Sequence, residues 1–371
     1  MRIAIDARMM GAEATRGIGR YIQELVSALL KVAPGNKYVL IVKTADHAFR
    51  SHPSVETIVA DIPWYSLQEQ IKMPGIFRSA KADVVFVPHW NVPLFYQGPL
   101  VITIHDLLLR HFPHSAKAST KNWFVRFLKR FGYRLILASA IKRARKIFVP
   151  TEFVARDVAS FYPRVASKIE VTGEGMPVFS YQARSAKREE TGNFLLYVGA
   201  AYPHKGLQDL LQAWKKISEK HSELSLKIAG EMDVFMQDYK KWSGEHNLKR
   251  VEFLGRVSDE ELDTLYAQAK TLVFPSYFEG FGLPPLEAIA HGCPVIASRL
   301  DVLIEVLGRD GAIFFDPGSS DGIIYAVLQL LAEPEKYGQL TVKAAQDLAG
   351  RHDWLKVAER LINFISWEER K

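Results

Sequence analysis

The chain has 371 residues, 48% hydrophobic and 24% charged, with a net charge of +7 and one cysteine. That length exceeds what a single core usually sustains and predicts two domains, and the composition is globular, which excludes a disordered or fibrous chain. No stretch approaches a membrane span, Arg2 and Asp6 interrupt the N-terminus so that no signal peptide is expected, and Cys293 alone builds neither a disulfide nor a metal cluster, so a cytoplasmic address is expected.

In chain order, short apolar runs that read as buried strands fall at residues 2–7, 38–43, 83–88, 100–104, 146–150 and 168–172, with helical patterns between many of them. A second series follows at 194–199, 224–229, 250–254, 271–275, 294–297 and 312–315. Such alternation predicts two α/β domains with parallel sheets. The polar stretch 180–192 is the natural linker, which sets the domains at 1–178 and 190–350.

Charge is unevenly spread. Between Asp106 and Glu152 no acidic residue occurs, yet eleven lysines and arginines do, more than the net charge of the whole chain. Phe124, Phe127, Leu128, Phe131 and Leu135 follow helical spacing there, with Arg126, Arg130 and Arg134 on a separate stripe near Lys129. With Trp123 beside it, this basic amphipathic helix suits an anionic membrane surface or an acceptor; a core-facing helix with a solvated basic side carries equal weight. No nucleic-acid-binding motif accompanies the charge, so nucleic acid is not an expected partner.

In open α/β sheets ligands bind beyond the carboxyl ends of the strands, so polar residues just after strands are the first candidates. Gly17 and Gly19 lie in the segment Thr15-Arg-Gly-Ile-Gly-Arg-Tyr21, which is expected as a loop between the first strand and the first helix. They suggest a dinucleotide fingerprint, but the third glycine is absent and the loop is long, which disfavours NAD. His105 follows the strand at 100–104, and Lys205 follows the strand at 194–199, just before an amphipathic helix from Leu207. Arg256 and Val257 precede Ser258, which with Glu261 forms a helix-capping box.

The most specific stretch is Glu279-Gly-Phe-Gly-Leu-Pro-Pro-Leu-Glu287. Gly280 and Gly282 allow backbone N–H groups to approach a ligand, Pro284 suits the first turn of a helix, and the helix N-terminus favours phosphate. Glu287 then falls one turn inside the helix, where it is able to accept the two vicinal hydroxyls of a ribose, and Glu279 stands on the loop.

This nonapeptide resembles the signature of the family 4 glycosyltransferases, two glutamates with seven residues between them in a closely similar Gly-rich, Leu-Pro-Pro setting. The resemblance covers essentially the entire chain. It implies the α/β GT-B fold, two Rossmann-like parallel-sheet domains facing each other across a cleft, with the last helix, within 354–371, crossing back to the first domain. It implies that Glu287 binds the nucleotide ribose and Glu279 the transferred sugar. Gly280, Phe281, Gly282 and Leu283 would line the donor, Lys205 the diphosphate, and Arg256 and Val257 the base. Gly17 and Gly19 would admit diphosphate and acceptor, and His105 would lie near the reacting sugar; with Lys205 and Glu279 it completes the expected catalytic set.

Many relatives carry an arginine where this chain has Ala200, which places more of the charge neutralisation on Lys205 and the helix start at Pro284, or on Arg256. No Asp-x-Asp pair occurs, so a metal-independent reaction is expected, with a nucleotide sugar as substrate and no cofactor. The segments Tyr-Pro-His-Lys-Gly and Gly-Ile-Gly-Arg-Tyr look most like bacterial mannosyltransferases of surface-polysaccharide assembly. The implied activity is retaining transfer of a hexose, with GDP-mannose as the leading donor, to a glycan or lipid-linked acceptor, on the inner face of the cell membrane if the basic segment binds lipid. A UDP-hexose donor, a sugar-nucleotide epimerase of the same architecture and a non-catalytic glycan- or nucleotide-binding protein stay open.

Overall fold

The computed structural model describes residues 1–11, 16–113, 123–176 and 192–368. They form two compact units: Met1–Leu107 with Ala118–Gly175 and His352–Lys371, and Met176–Arg351 with Leu108–Lys117. The linker expected at 180–192 lies, apart from Gly192, outside the described residues.

The first unit is built on seven parallel strands: β1 (Arg2–Asp6), β2 (Lys37–Val42), β3 (Val55–Val59), β4 (Val84–Val87), β5 (Leu100–Thr103), β6 (Lys146–Val149) and β7 (Ile169–Val171), in the order β3-β2-β1-β4-β5-β6-β7. Central strands such as β4 are buried along their whole length, because helices cover both faces of a parallel sheet. One face packs against α1 (Arg16–Val32) and α13 (Trp354–Glu368) through Tyr21, Leu25, Leu29, Val357 and Leu361. The other packs against α2 (Leu67–Ser79), α4 (Trp123–Arg143) and α5 (Glu152–Phe161) through Met73, Phe77, Leu137, Ile141, Val154 and Val158.

The second unit has six parallel strands: β8 (Phe194–Val198), β9 (Ser225–Ala229), β10 (Val251–Gly255), β11 (Thr271–Phe274), β12 (Val295–Ser298) and β13 (Ile313–Phe315), in the order β10-β9-β8-β11-β12-β13. α6 (Leu207–Lys220) and α11 (Ser320–Ala332) cover one face, where Trp214, Ile217, Ile323 and Val327 are buried with the strands. α7 (Val234–Glu245), α8 (Asp259–Gln268), α9 (Leu283–Ala290), α10 (Asp301–Leu307) and α12 (Pro334–Arg351) complete the unit, together with the single-turn α3 (Leu108–His111) from the preceding segment. That segment joins the second unit by ring contacts: His111 lies 4.8 Å and Phe112 6.0 Å from Phe278, centroid to centroid.

In both sheets the strand order reverses beside the first strand of the unit, between β1 and β4 and between β8 and β11. These are the switch points of two doubly wound Rossmann-like sheets, where the strand ends leave a crevice. One expected strand set was incomplete. The edge strand β3, with only Val55 and Ile58 half-buried and its other residues exposed, has no buried apolar run to announce it.

Candidate functional site

The switch point of the second sheet gathers the glutamates of the nonapeptide with Lys205. β8 ends at Val198, and the turn Pro203–Lys205 closes on Gly206, whose φ of +67° is left-handed. A Cβ at Gly206 would stand 1.9 Å from the carbonyl oxygen of Pro275, just past β11, so the two strand ends pass at a distance that only glycine permits. The amide of Tyr277 donates to the His204 carbonyl at 2.7 Å and fixes the same juxtaposition. Its consequence is a direct ion pair. Lys205 Nζ donates to Glu279 Oε1 at 2.7 Å, with both residues half-buried.

Gly282 caps α9 with φ +94°, Leu283 and Pro284 form its first turn, and Glu287 lies one turn in. Glu287 is buried, and its Oε2 accepts from the Tyr266 hydroxyl on α8 at 2.8 Å, which aims the carboxylate. Tyr266 in turn stacks on His291, with centroids 5.5 Å apart. Phe281 is buried in the same loop. Arg256 is exposed and Val257 half-buried just after β10, ahead of the capping box in which Ser258 and Glu261 exchange both hydrogen bonds. His204, beside Lys205, is buried, and burial together with the Lys205 charge pushes its pKa down to about 3, so it is neutral.

The first unit holds Gly17, Gly19 and His105. Gly17 and Gly19 lie inside α1, which begins at Arg16, and not in a loop; Thr15 lies outside the described residues. The helical spacing of Ile18, Tyr21, Ile22 and Leu25, of which the last three are buried, carries the helix through both glycines. His105, just past β5, has each nitrogen against an acceptor: Nδ1 is 2.8 Å from Glu174 Oε1 and Nε2 is 3.1 Å from the Pro88 carbonyl. Two acceptors call for two N–H donors, so the contacts favour the imidazolium form. Burial alone would lower its pKa, but the Glu174 carboxylate and the Pro88 carbonyl outweigh that and raise it. Tyr21 meets the imidazole edge-on at 4.7 Å. With both nitrogens engaged by these partners, the arrangement offers no free ring nitrogen to a substrate proton.

Sequence reasoning missed Glu174 and Tyr266. Glu174 follows β7 as His105 follows β5, so the strand-end criterion was able to find it; Tyr266 carries no local signal. It also missed a buried network at the first switch point. Arg8 donates to Asp6 Oδ2 and to Glu69 Oε1, each at 2.7 Å, and Asn91 Nδ2 donates to Glu69 Oε2 at 2.7 Å. His89 beside it is pushed down to about 3 by burial and by the charge of His105, and its neutral Nδ1 accepts from the Asn91 amide.

Trp123 and Arg126 have side chains outside the described residues. Further along α4, Phe127, Leu128, Phe131 and Leu135 point to solvent at 59%, 50%, 59% and 47% exposure. Lys129, Arg130 and Arg134 are exposed among them. The core-facing reading of this stretch is therefore wrong: Leu137, Ala140 and Ile141, at the far end of the helix, supply its core contacts.

Residues 15–177 match the Glycosyltransferase Family 4 domain and residues 180–347 match Glycosyl transferases group 1, so that the two matches together span most of the chain. The chain is a family 4 glycosyltransferase. This glycosyltransferase is 23% identical to the O-antigen chain mannosyltransferase RfbU of Salmonella typhimurium over 98% of this chain and 99% of the relative. It is 26% identical to O-antigen chain mannosyltransferase B of Escherichia coli over 94% of this chain and 95% of that one. Among solved structures, the sucrose-phosphate synthase of Thermosynechococcus elongatus superposes on the glycosyltransferase with a TM-score of 0.75 at 20% identity, covering 100% and 99% of the two chains. Anabaena HepE in complex with UDP-glucose does so at 0.72 and 17%, covering 98% and 99%. The fold is thus GT-B, with two Rossmann-like parallel sheets.

Proposed function

We propose that this glycosyltransferase moves mannose from GDP-mannose to a hydroxyl of a glycan or lipid-linked acceptor in polysaccharide assembly, with retention at the anomeric carbon and without a metal ion. The bond from that carbon to the diphosphate breaks, a bond to the acceptor oxygen forms, and the proton of the acceptor hydroxyl passes to the departing diphosphate. The observation that carries the reading is the Lys205–Glu279 pair at the switch point, one loop from Glu287. An ammonium fixed there stabilises negative charge as it develops on the departing diphosphate, together with the amides of Gly280 to Leu283 at the start of α9. Glu287, aimed by Tyr266, takes the ribose hydroxyls; Glu279 takes hydroxyls of the sugar; Arg256 and Val257 face the base. In the first unit Gly17 and Gly19 serve the acceptor side, and His105, with both nitrogens engaged by Glu174 and Pro88, contributes a fixed positive charge rather than a hydrogen bond.

Two relatives named as O-antigen mannosyltransferases support mannose, and the UDP-glucose complex of the Anabaena neighbour favours a UDP-hexose as the second reading. A thermal-shift screen separates them, because a ligand that binds only the folded state raises apparent stability. GDP-mannose is expected to raise the melting temperature where UDP-glucose and UDP-galactose do not, and transfer is expected to persist in chelator. Stabilisation by UDP-hexoses alone replaces the donor; stabilisation by no nucleotide sugar overturns the reading.

The outward apolar face of α4 and its lysine and arginines suit an anionic lipid surface, each charge contributing about 1 kcal/mol before salt screening. No helix among the described residues is long and apolar enough to cross a membrane, so the contact would be peripheral. Co-sedimentation with phosphatidylglycerol vesicles at low salt is expected for the natural chain and not for Phe127→Ser with Phe131→Ser. Wild-type protein left in the supernatant refutes membrane docking.

A further inference from the structure

Away from the donor site the second unit has a cavity of about 440 Å³ along the free edge of its sheet. β13 is the edge strand, two strands from β11, and the cavity runs beside it between α11 and α12. Its walls carry Arg299, Arg309 and Asp310 on the loops, Tyr325 and Gln329 on α11, and Tyr337 on α12. Three of these groups are internally engaged: Gln329 Nε2 donates to the Tyr337 hydroxyl at 2.6 Å, and Arg299 reaches the Phe314 carbonyl at 3.3 Å and Asp316 Oδ1 at 3.6 Å. Arg309, Asp310 and Tyr325 make no side-chain hydrogen bond or ion pair with any described residue, and Tyr325 is 71% exposed.

We infer that this edge cavity is a second carbohydrate site, which holds a short, uncharged oligosaccharide. A pyranose ring has an apolar C–H face and a rim of hydroxyls; the first packs on an aromatic ring and the second needs planar groups that donate or accept in pairs. Tyr325 and Tyr337 provide the rings, and the guanidiniums, the Asp310 carboxylate and the Gln329 amide provide the rim. An anion would meet Asp310 as a like charge among the arginines, and the apolar part of the lining, Val295, Ile313 and Leu340 among it, is interrupted by these charged and polar groups, a mixture that suits the two-sided surface of a sugar better than the apolar centre of a protein contact. The volume lies in the range of pockets that take small ligands. On the donor-bearing unit such a site would keep a growing chain attached between transfers. Its sugar type rests on the proposed mannose chemistry; its existence does not.

The test is calorimetric titration of the full chain with mannotetraose and with maltotetraose, repeated on Tyr325→Ala and Arg309→Ala. Both positions are exposed, so the variants should fold. Saturable binding of one of the tetrasaccharides, weakened at least tenfold by each substitution, is expected, with GDP and UDP titrations unchanged. Absence of binding for both probes, or binding that survives both substitutions, overturns the site. Sedimentation showing that the substitutions break a self-associated form while sugar binding persists would reassign the cavity to a protein contact. Loss of nucleotide binding in the wild type would count against the donor site and leave the sugar titration to be judged by itself.

Discussion

If Lys205 and Glu279 serve the donor as proposed, their pairing means that the site neutralises itself before any ligand arrives, with the cation proposed for the diphosphate held at 2.7 Å by the carboxylate proposed for the sugar. A nucleoside diphosphate therefore has to compete for Lys205. Replacing Glu279 by Gln should tighten GDP or UDP binding by up to about fivefold, the scale of a partly exposed ion pair, while it reduces transfer. Unchanged or weaker nucleotide binding in that variant would remove the competition. Lys205→Ala should lower turnover by roughly 10² to 10³, the loss expected for one preorganised contact at developing charge, and Glu287→Ala should cost nucleotide binding about 1.5 to 3 kcal/mol. His105 gives a different signature. An imidazole whose folded pKa stands above its unfolded value, near 6.5, adds stability that is complete below that value and is lost as the pH rises through the folded pKa. Glu174→Gln should therefore cost most at about pH 6, and the gap to wild type, measured by urea unfolding, should narrow toward pH 9. A gap that widens with pH would mean that His105 is neutral in the folded chain.

At the scale of elements, the turn between β8 and α6 leaves no room for a side chain at Gly206. A Gly206→Ala side chain would collide with the Pro275 carbonyl and strain a left-handed backbone, so a loss of about 2 kcal/mol or more is expected together with weakened nucleotide binding as Lys205 moves. Retained stability and affinity would show that the strand ends have room to separate. This contact also shows what could be read from residue order. The strands that line both switch points were legible because each is a short apolar run buried on both faces, and the nonapeptide was legible because glycine, proline and two glutamates occupy fixed offsets around a helix start. β3 was not, since an edge strand buries little and alternates weakly. The start of α1 was misplaced because Gly17 and Gly19 read as loop residues, whereas the buried Tyr21, Ile22 and Leu25 extend the helix across them. Pairings such as His105 with Glu174, or Glu287 with Tyr266, join residues far apart in the chain and depend on strand order, which no local pattern specifies. The outward turn of Phe127 and Phe131 was equally invisible, because helical spacing shows that a face is apolar and leaves open what it meets.

On the scale of the whole molecule, a six-strand order occurs twice, with a seventh strand, β7, added to the first sheet, and each copy gathers polar groups at the place where its strand order reverses: Arg8, Glu69 and Asn91 in the first, Lys205 and Glu279 in the second. The units differ in how they are closed. The second is continuous from Met176 to Arg351 apart from the short α3 segment, whereas the first takes its last layer from the C-terminal end of the chain. Trp354, Val357, Leu361 and Ile365 of α13 are buried beside Tyr21 and Leu25 of α1, and Trp354 lies so close to Gly175 that a Cβ there would stand 2.3 Å from its ring. Four buried side chains at about 1.5 kcal/mol or more each amount to roughly 6 kcal/mol, comparable with the whole stability of an ordinary domain. Ending the chain at Arg351 should therefore unfold the first unit and leave the second folded. Calorimetry of the truncated protein is expected to lose one unfolding transition, and GDP or UDP titration should still report the Glu287 site. If the truncated chain kept both transitions, α13 would be an accessory layer; if it lost both, along with nucleotide binding, the units would not fold independently.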